Sequence, residues 1–309
     1  MKLSIIIINY KTPNLTVKCL DSVYNTTKFE NFEIIVVDNN SEDNSREIIT
    51  QKFPSIKWIA NPINDGFGRA NNLGVKHAIG NYLLFLNSDV VVKPNTIDGC
   101  LVYLKQNPHT GVLGCKLLNE DGSLQKSVYT YVGSFKNILK ENLLYDYFTI
   151  KKEAPIDAIM GAFMLCPKIV FEKTNGFDPD FFMYAEELEW CYRVKKEGYQ
   201  IKYYDLYEAT HIHGASSQTN NNWSSKQNML SNALLYLKIR GVSGYIIYHM
   251  LFVLNFLINF ILLWKMTKEY RKYFWLSYSD YFSNIFYYLK IPFLYAETNK
   301  QHVNPLKRT

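Results

Sequence analysis

The feature that most constrains this chain is its first ninety residues, where four short apolar runs alternate with segments of helical character. The runs are Leu3–Asn9 (LSIIIIN), residues 33–38 (EIIVVD), 56–60 (IKWIA) and 82–86 (YLLFL). Each is short, apolar and rich in β-branched or aromatic residues, the pattern of strands buried on both faces. Between them the spacing predicts helices over residues 13–24, from Ser41 to about Phe53, and from about Arg69 to Ala78. Ser41 is expected as the N-cap of the second, with Glu42 and Asp43 in its first turn. Strands that alternate with helices in this way fold into a mainly parallel α/β sheet covered on both faces.

Further on, a helix is expected over 95–106, strands over 111–118, 158–166 and 201–204, and helices over 167–174 and 184–197, with a hairpin turn at 120–123. Residues 129–150 read as an irregular aromatic surface lobe. The polar, Asn-rich stretch 218–225 marks a boundary between a catalytic unit (1–220) and a helical, aromatic and basic region (221–309). In that region a helix runs to Arg240 and is closed by Gly241. Residues 245–264 then carry no formal charge and are bounded by Lys265, Lys268, Arg271 and Lys272. Their length suits a membrane span. Asn255 and Asn259 share one helical face, which suits a helix lying on a membrane or packed against protein instead.

Charge points the same way. Of a net charge of +6, residues 265–309 supply about +5, with eight Lys/Arg against three Asp/Glu. A basic, aromatic tail suggests an anionic surface, and a peripheral membrane contact or a second copy of the chain is expected there. No nucleic-acid partner is expected. The five cysteines are widely spaced and form no CxxC pair, as expected of buried thiols in a reducing compartment. Residues 3–8 are too short an apolar run for a secretory signal, so a cytoplasmic location is expected, at the inner face of the cell membrane.

In an open α/β sheet, ligands bind at the carboxyl ends of the strands. Polar residues gather at four such ends: Asn9 and Tyr10; Asp38, Asn39 and Asn40; the loop 61–68; and Asn87, Ser88 and Asp89. One such group could be turn chemistry, but four suggest a shared ligand. Asp38 can accept from a base imide or a ribose hydroxyl. Asp65, Gly66 and Arg69 lie where a helix begins, and backbone N–H groups with a guanidinium suit a diphosphate. Asn87 and Asp89, two apart on a strand, project together and can share one divalent cation, Mn2+ or Mg2+. Glu186, Glu187 and Glu189 sit among Phe181, Phe182, Tyr184 and Trp190. A carboxylate whose pKa is raised there can take a proton from an acceptor hydroxyl. His211 and His213 are alternative metal ligands.

With these motifs in view, the chain resembles glycosyltransferase family 2, of GT-A fold, and most closely its rhamnosyltransferase-like branch. The matching segments are SIIIINYKT, IIVVDNNSEDNS, NDGFGRANNLGVKHAIGNYLLFLNSDV, GAFMLCPKIVFEKTNGFDPDFFMYAEELEWCYR and HIHGAS, in order over residues 3 to about 240. The resemblance implies an inverting transfer of a sugar from a nucleotide diphosphate to a hydroxyl, in building a cell-envelope polysaccharide or glycolipid. It implies that Asp38 meets the nucleobase and that Asp89 is the retained ligand of a DxD-like metal motif. Glu186 and Glu187 match the family's Glu-Asp pair, so Glu187 replaces the catalytic Asp, and Glu186 is its rival. His211, Gly214 and Ser216 match a His-x-x-Gly-x-Ser pattern, which favours His211 as the metal ligand. Asp157, Gly161 and Ala162 are implied on the acceptor side, facing a saccharide or lipid-linked saccharide. A nucleotidyltransferase would place a glycine-rich loop after the first strand, and residues 9–13 contain no glycine. A catalytically inactive, membrane-bound homologue is the remaining alternative, with Glu187 in place of Asp as its support.

Overall fold

The computed structural model of the protein describes residues 2–130, 156–212, 221–265, 268–286, 288–289 and 291. The expected lobe at 129–150, apart from its first two residues, lies outside these, as do His213, Gly214 and Ser216. Ten strands are described: β1 Leu3–Asn9, β2 Phe32–Asp38, β3 Lys57–Ala60, β4 Tyr82–Asn87, β5 Val90–Val92, β6 Thr110–Leu118, β7 Val128–Tyr129, β8 Ala158–Ile159, β9 Phe163–Pro167 and β10 Gln200–His211. The helices are α1 Pro13–Thr26, α2 Ser45–Lys52, α3 Gly66–Lys76, α4 Thr96–Gln106, α5 Lys168–Lys173, α6 Glu186–Lys196, α7 Asn221–Leu262 and α8 Lys268–Ser283.

Eight strands form one mixed sheet in the order β3-β2-β1-β4-β9-β6-β10-β5. The expected parallel core, β1 to β4, is present; β1, β2 and β4 are largely buried on both faces, whereas β3 lies at the sheet edge, half-buried with Lys57 and Ala60 exposed. β9 runs antiparallel to β4 and β6, and β5 antiparallel to β10. This mixture sets the site. Strands β1, β2, β4 and β10 bring their carboxyl ends to one edge, and the reversed β9 brings its amino end to the same edge. Leu86 pairs with Phe163, and His211 with Val90.

Several expected boundaries are corrected by local packing. Ser41 does not cap α2, which starts at Ser45 after Asn44, because the Ser41 hydroxyl is bonded to Asp38 instead. α3 begins at Gly66, three residues before Arg69. The expected strand 158–166 is two strands. β8 pairs with β7, β9 joins the main sheet, and Gly161 and Ala162 cross between them. The helix expected from residue 184 begins at Glu186, since Tyr184 and Ala185 are left-handed at φ 69° and 66°. β10 is twelve residues long, not four, because a register shift between Tyr204 and Glu208 lets it stay paired to β6.

α6 is held to the sheet by Trp190, fully buried among Phe85, Phe171 and Phe177 with ring centroids 5.0–5.9 Å apart. Each such aromatic pair contributes about 0.5–1.5 kcal/mol beyond its buried area. The indole N–H donates to Thr174 Oγ1 at 2.8 Å. Glu186, Trp190 and Val194 share the i, i+4, i+8 stripe, so burying the tryptophan carries Glu186 inside. α7 is broken at Gly241 (φ 69°, ψ −166°). Its first half packs on the segment before α6. Ser231 Oγ donates to Met183 O (2.6 Å), Lys238 pairs with Asp178 and Asp180, and Leu235 meets Phe181 and Ala185.

Candidate active site

Asp38 closes β2 and is held from three sides. Its Oδ1 accepts from Asn9 Nδ2 (2.7 Å) and Ser41 Oγ (2.5 Å), and its Oδ2 from the Ser41 N–H (3.2 Å). Asn9 is fully buried. Its amide oxygen accepts from Thr16 Oγ1 (2.8 Å), so its polar atoms serve to position Asp38. Tyr10 and Asn40 are half-buried beside it, and Asn40 is left-handed at φ 63°. Ser88 is buried, its hydroxyl 3.3 Å from Thr12 Oγ1.

The loop before α3 is pinned by asparagines. Buried Asn39 bonds to Asn64 and Gly66 O, and accepts from Asn61 and the Asp65 N–H. Asp65 Oδ2 accepts from Asn61 (3.2 Å). The expected phosphate cradle at the helix start is engaged by protein. Gly66 N–H donates to Asn64 Oδ1 (3.0 Å) and Phe67 N–H to Phe182 O (2.9 Å). Arg69 Nε donates to Pro179 O, and its guanidinium lies 3.9 Å from Asp65. Gly66 is required here: at φ 80°, an added Cβ would stand 1.8 Å from Phe182 O.

Glu187 and Glu186 follow that docked segment in the first turn of α6. Glu186 is 4% exposed, and one carboxyl oxygen has no hydrogen-bond partner. Burial, and then the charge of Glu187, push it well above the usual carboxylate range. Glu187 is half-buried. Burial raises it to about 7, against the pull of the N–H groups of Glu187 and Leu188. Glu189 is a structural residue, bonded to Arg193 at 2.6–3.0 Å. The Cβ of Glu187 lies 3.9 Å from where one would stand on Gly161, and the next residue, Ala162, accepts the Asn87 N–H at 3.0 Å. Gly161 and Ala162 thus bridge Glu187 to the end of β4. Asp157 pairs with Lys195, and with Tyr192 and Lys196 they line an open cavity of about 230 Å³.

Beyond β4, Asp89 and His211 are both buried, with Asp89 Oδ1 3.3 Å from His211 Nε2 and Asn87 Nδ2 3.5 Å from it. Two cis ligands about 2.1 Å from an octahedral ion lie about 3 Å apart, so this spacing fits one cation of the Mn2+ or Mg2+ type. Among the described residues no third His, Cys, Asp or Glu joins them. Gln125, Ser41 and Thr16 hold His211, Asp38 and Asn9 in place, and sequence reasoning misses all three in that part. Gln125 stands beneath His211 from 86 residues away, a proximity no local pattern signals.

Comparison with known proteins bears on the family and the fold. A relative from Haloferax volcanii, "Low-salt glycan biosynthesis hexosyltransferase Agl10", is 28% identical over 215 residues, 68% of this chain and 66% of its own length. "Rhamnosyltransferase WbbL" of Escherichia coli is 28% identical over 195 residues, covering 59% of this chain and 73% of its own. The chain therefore spans just under two thirds of the first of these relatives. Among solved structures, a mannosyltransferase from Pyrobaculum calidifontis in complex with GDP-Man and Mn2+ superposes with a TM-score of 0.59 at 14% identity, over 89% of this chain and 83% of its own. That likeness establishes the GT-A type of fold. The profile described as "Glycosyl transferase family 2" matches residues 4–173, more than half of the chain. A chain with this match and this mixed sheet belongs to glycosyl transferase family 2.

Proposed function

We propose that the enzyme transfers a sugar from a nucleoside diphosphate to a hydroxyl of a saccharide or lipid-linked saccharide, with inversion at the anomeric carbon, in making a cell-envelope polysaccharide or glycolipid. The observation that carries this reading is the bridge Glu187–Gly161–Ala162–Asn87. It sets a half-buried carboxylate with a raised pKa beside the strand end that leads into Asp89. The acceptor oxygen attacks the anomeric carbon, its proton passes to a Glu187 carboxylate oxygen, and the bond to the nucleoside diphosphate breaks on the opposite face. Proton acceptance needs Glu187 ionised, which its pKa of about 7 allows at neutral pH. Glu186, deeper and pushed further up by burial and by the charge of Glu187, is the poorer base.

Asp89 and His211 would hold the divalent cation, which would neutralise charge on the departing diphosphate. Asp38, clamped by Asn9 and Ser41, would receive the base or ribose. Gly161, Ala162 and Asp157 would border the acceptor. Support for the donor class comes from solved structures of like fold: the mannosyltransferase holds GDP-Man and Mn2+, and one of S. aureus TarS holds UDP-GlcNAc. One relative is named "N-acetylglucosaminyl-diphospho-decaprenol L-rhamnosyltransferase", which favours a lipid-linked acceptor and work at the membrane surface. Incubation with UDP-, dTDP- and GDP-sugars plus Mn2+, with nucleoside diphosphate release as readout, tests the reading. No release with any donor, with or without acceptor glycolipids, would overturn it.

A further inference from the structure

A histidine can offer only one unprotonated ring nitrogen at a time, and which one it offers is set by what the other nitrogen meets. Here that partner lies in the hairpin after β6. We propose that residues 119–125 form a tautomer clamp, in which Gln125 is a positioning residue that keeps the proton of His211 on Nδ1 and turns the Nε2 lone pair toward Asp89. The proposal deepens the metal reading above and rests on it for its consequence, though not for its geometry.

The direction of every bond in the clamp follows from groups that can act in only one sense. The Asp121 carboxylate accepts, so the Ser123 hydroxyl proton goes to its Oδ1 (2.6 Å). With that proton committed, Ser123 Oγ accepts from Asn119 Nδ2 (2.8 Å). Asn119 therefore presents Oδ1 to Gln125, whose Nε2 donates to it (3.0 Å). The same Nε2 faces the His211 carbonyl (3.5 Å), which can only accept. Gln125 Oε1 is then the atom 2.8 Å from His211 Nδ1, and a bond between them needs the proton on the ring. In the neutral imidazole, which has one N–H, Nε2 is then left unprotonated and can accept from Asn87 Nδ2, 3.5 Å away. Nε2 also lies 3.3 Å from a carboxylate oxygen, an arrangement that a cation between the two relieves. The hairpin is rigid enough to do this. Gln125 N–H donates to Leu117 O, Asn119 N–H to Ser123 O, Gly122 N–H to Asn119 O, and Leu118 bridges Leu124. Gln125 and the His211 ring are both buried, so water does not compete for the bond between them, while Asp121 and Ser123 lie at the exposed turn.

The test has one arm without metal and one with it, both on the full-length protein. In the metal-free protein labelled with 15N-histidine, long-range 1H–15N spectra should show His211 protonated at Nδ1 and bare at Nε2. Gln125→Leu should shift His211 toward the Nε2–H form, and Gln125→Glu, which retains the acceptor, should restore Nδ1–H. Mn2+ alone, followed by loss of the free-ion EPR signal, should bind about 10–100-fold more weakly to Gln125→Leu, the usual effect of losing such a partner, and recover in Gln125→Glu. If Gln125→Leu does not fold, Ser123→Ala at the exposed turn lets the Asn119 and Gln125 amides rotate and should also raise the Nε2–H share. An Nε2–H or doubly protonated His211 in the wild type overturns the clamp, as does an unchanged tautomer in Gln125→Leu. Loss of the tautomer without loss of Mn2+ affinity overturns its role toward the metal. If the wild type binds no Mn2+, the metal reading fails by itself, and the spectra still decide the clamp.

Discussion

In the proposed transfer, the chemistry turns on one carboxyl group with two opposed influences on it. Burial raises Glu187 to about 7, while N–H groups at the start of α6 pull it down, so it is part ionised near neutral pH. Because the base must be ionised, activity should rise with pH through about 7 and fall away in acid. Glu187→Gln should remove that limb and lower turnover about 10²–10⁴-fold, the usual share of general-base catalysis, with donor binding kept. If Glu186→Gln is instead the crippled variant, the roles are exchanged. At the far side of the bridge, Asp89→Ala should abolish transfer and Mn2+ binding with little change in melting temperature. Full activity in that variant, or in EDTA, would exclude the metal role. The polar residues gathered at this edge were legible in the sequence because they stand at the strand ends of such a sheet. What each group is bonded to was not legible. Ser41 reads locally as a helix cap, and only the fold brings Asn9 and Asp38 together to claim its hydroxyl. Asn9 reads as a ligand contact and is wholly inside.

At the scale of elements, the site is assembled by two helix starts that lean on each other. α3 opens against Phe182 O, and Phe182 lies four residues before the buried Glu186. Tyr184 and Ala185, both left-handed, make the turn between, an arrangement costing on the order of 1–3 kcal/mol per residue and common at functional sites. Gly66→Ala would force a Cβ into Phe182 O at φ 80°. The positive φ alone costs roughly 1–2 kcal/mol, and the overlap adds to it. The variant should therefore melt several degrees lower, and its turnover should fall through displacement of the segment carrying Glu187. An unchanged melting curve would mean that the two helix starts are not coupled. The parallel strands were legible because uninterrupted apolar runs have few other uses. β10 was not, because its polar half, including Asp205 and Glu208, stays in the sheet by a register shift and by an ion pair of Glu208 with Lys116 at 2.9 Å. The split of 158–166 was equally hidden, since Gly161 and Ala162 are apolar enough to read as strand.

For the whole molecule, the open question of contact with a surface narrows to one face of the helical region. The Asn face of α7 turns inward: Asn255 Nδ2 donates to Tyr278 OH at 2.8 Å, and Asn259 bonds to Asn255 O. His249 meets Tyr281 OH at 2.9 Å, and Tyr245, Tyr248, Tyr281 and Tyr288 are buried in the same cluster. The tyrosines of α8 thus serve to hold the two helices together. The opposite face leaves Val242, Ile246, Met250, Leu254, Leu257 and Ile261 exposed at spacings of three and four, ending at exposed Trp264. By length and composition α7 is long and apolar enough to cross a membrane, but Gly241 breaks it, and one flank of its second half is occupied by α8. A helix with one flank on protein and an apolar stripe on the other suits lying in a bilayer surface better than spanning it. Lys268 and Arg271 stand exposed just beyond Trp264, each contributing roughly 1 kcal/mol near an anionic leaflet. Full-length protein should therefore float with anionic vesicles at low salt and less so at high salt. A Leu254→Glu, Leu257→Glu, Ile261→Glu variant should stay in the soluble fraction while keeping its melting temperature and its activity on a water-soluble acceptor, because these side chains already face outward. If wild-type protein fails to float but sediments as a dimer that the triple variant dissociates, the stripe is an interface between two copies and the membrane reading falls.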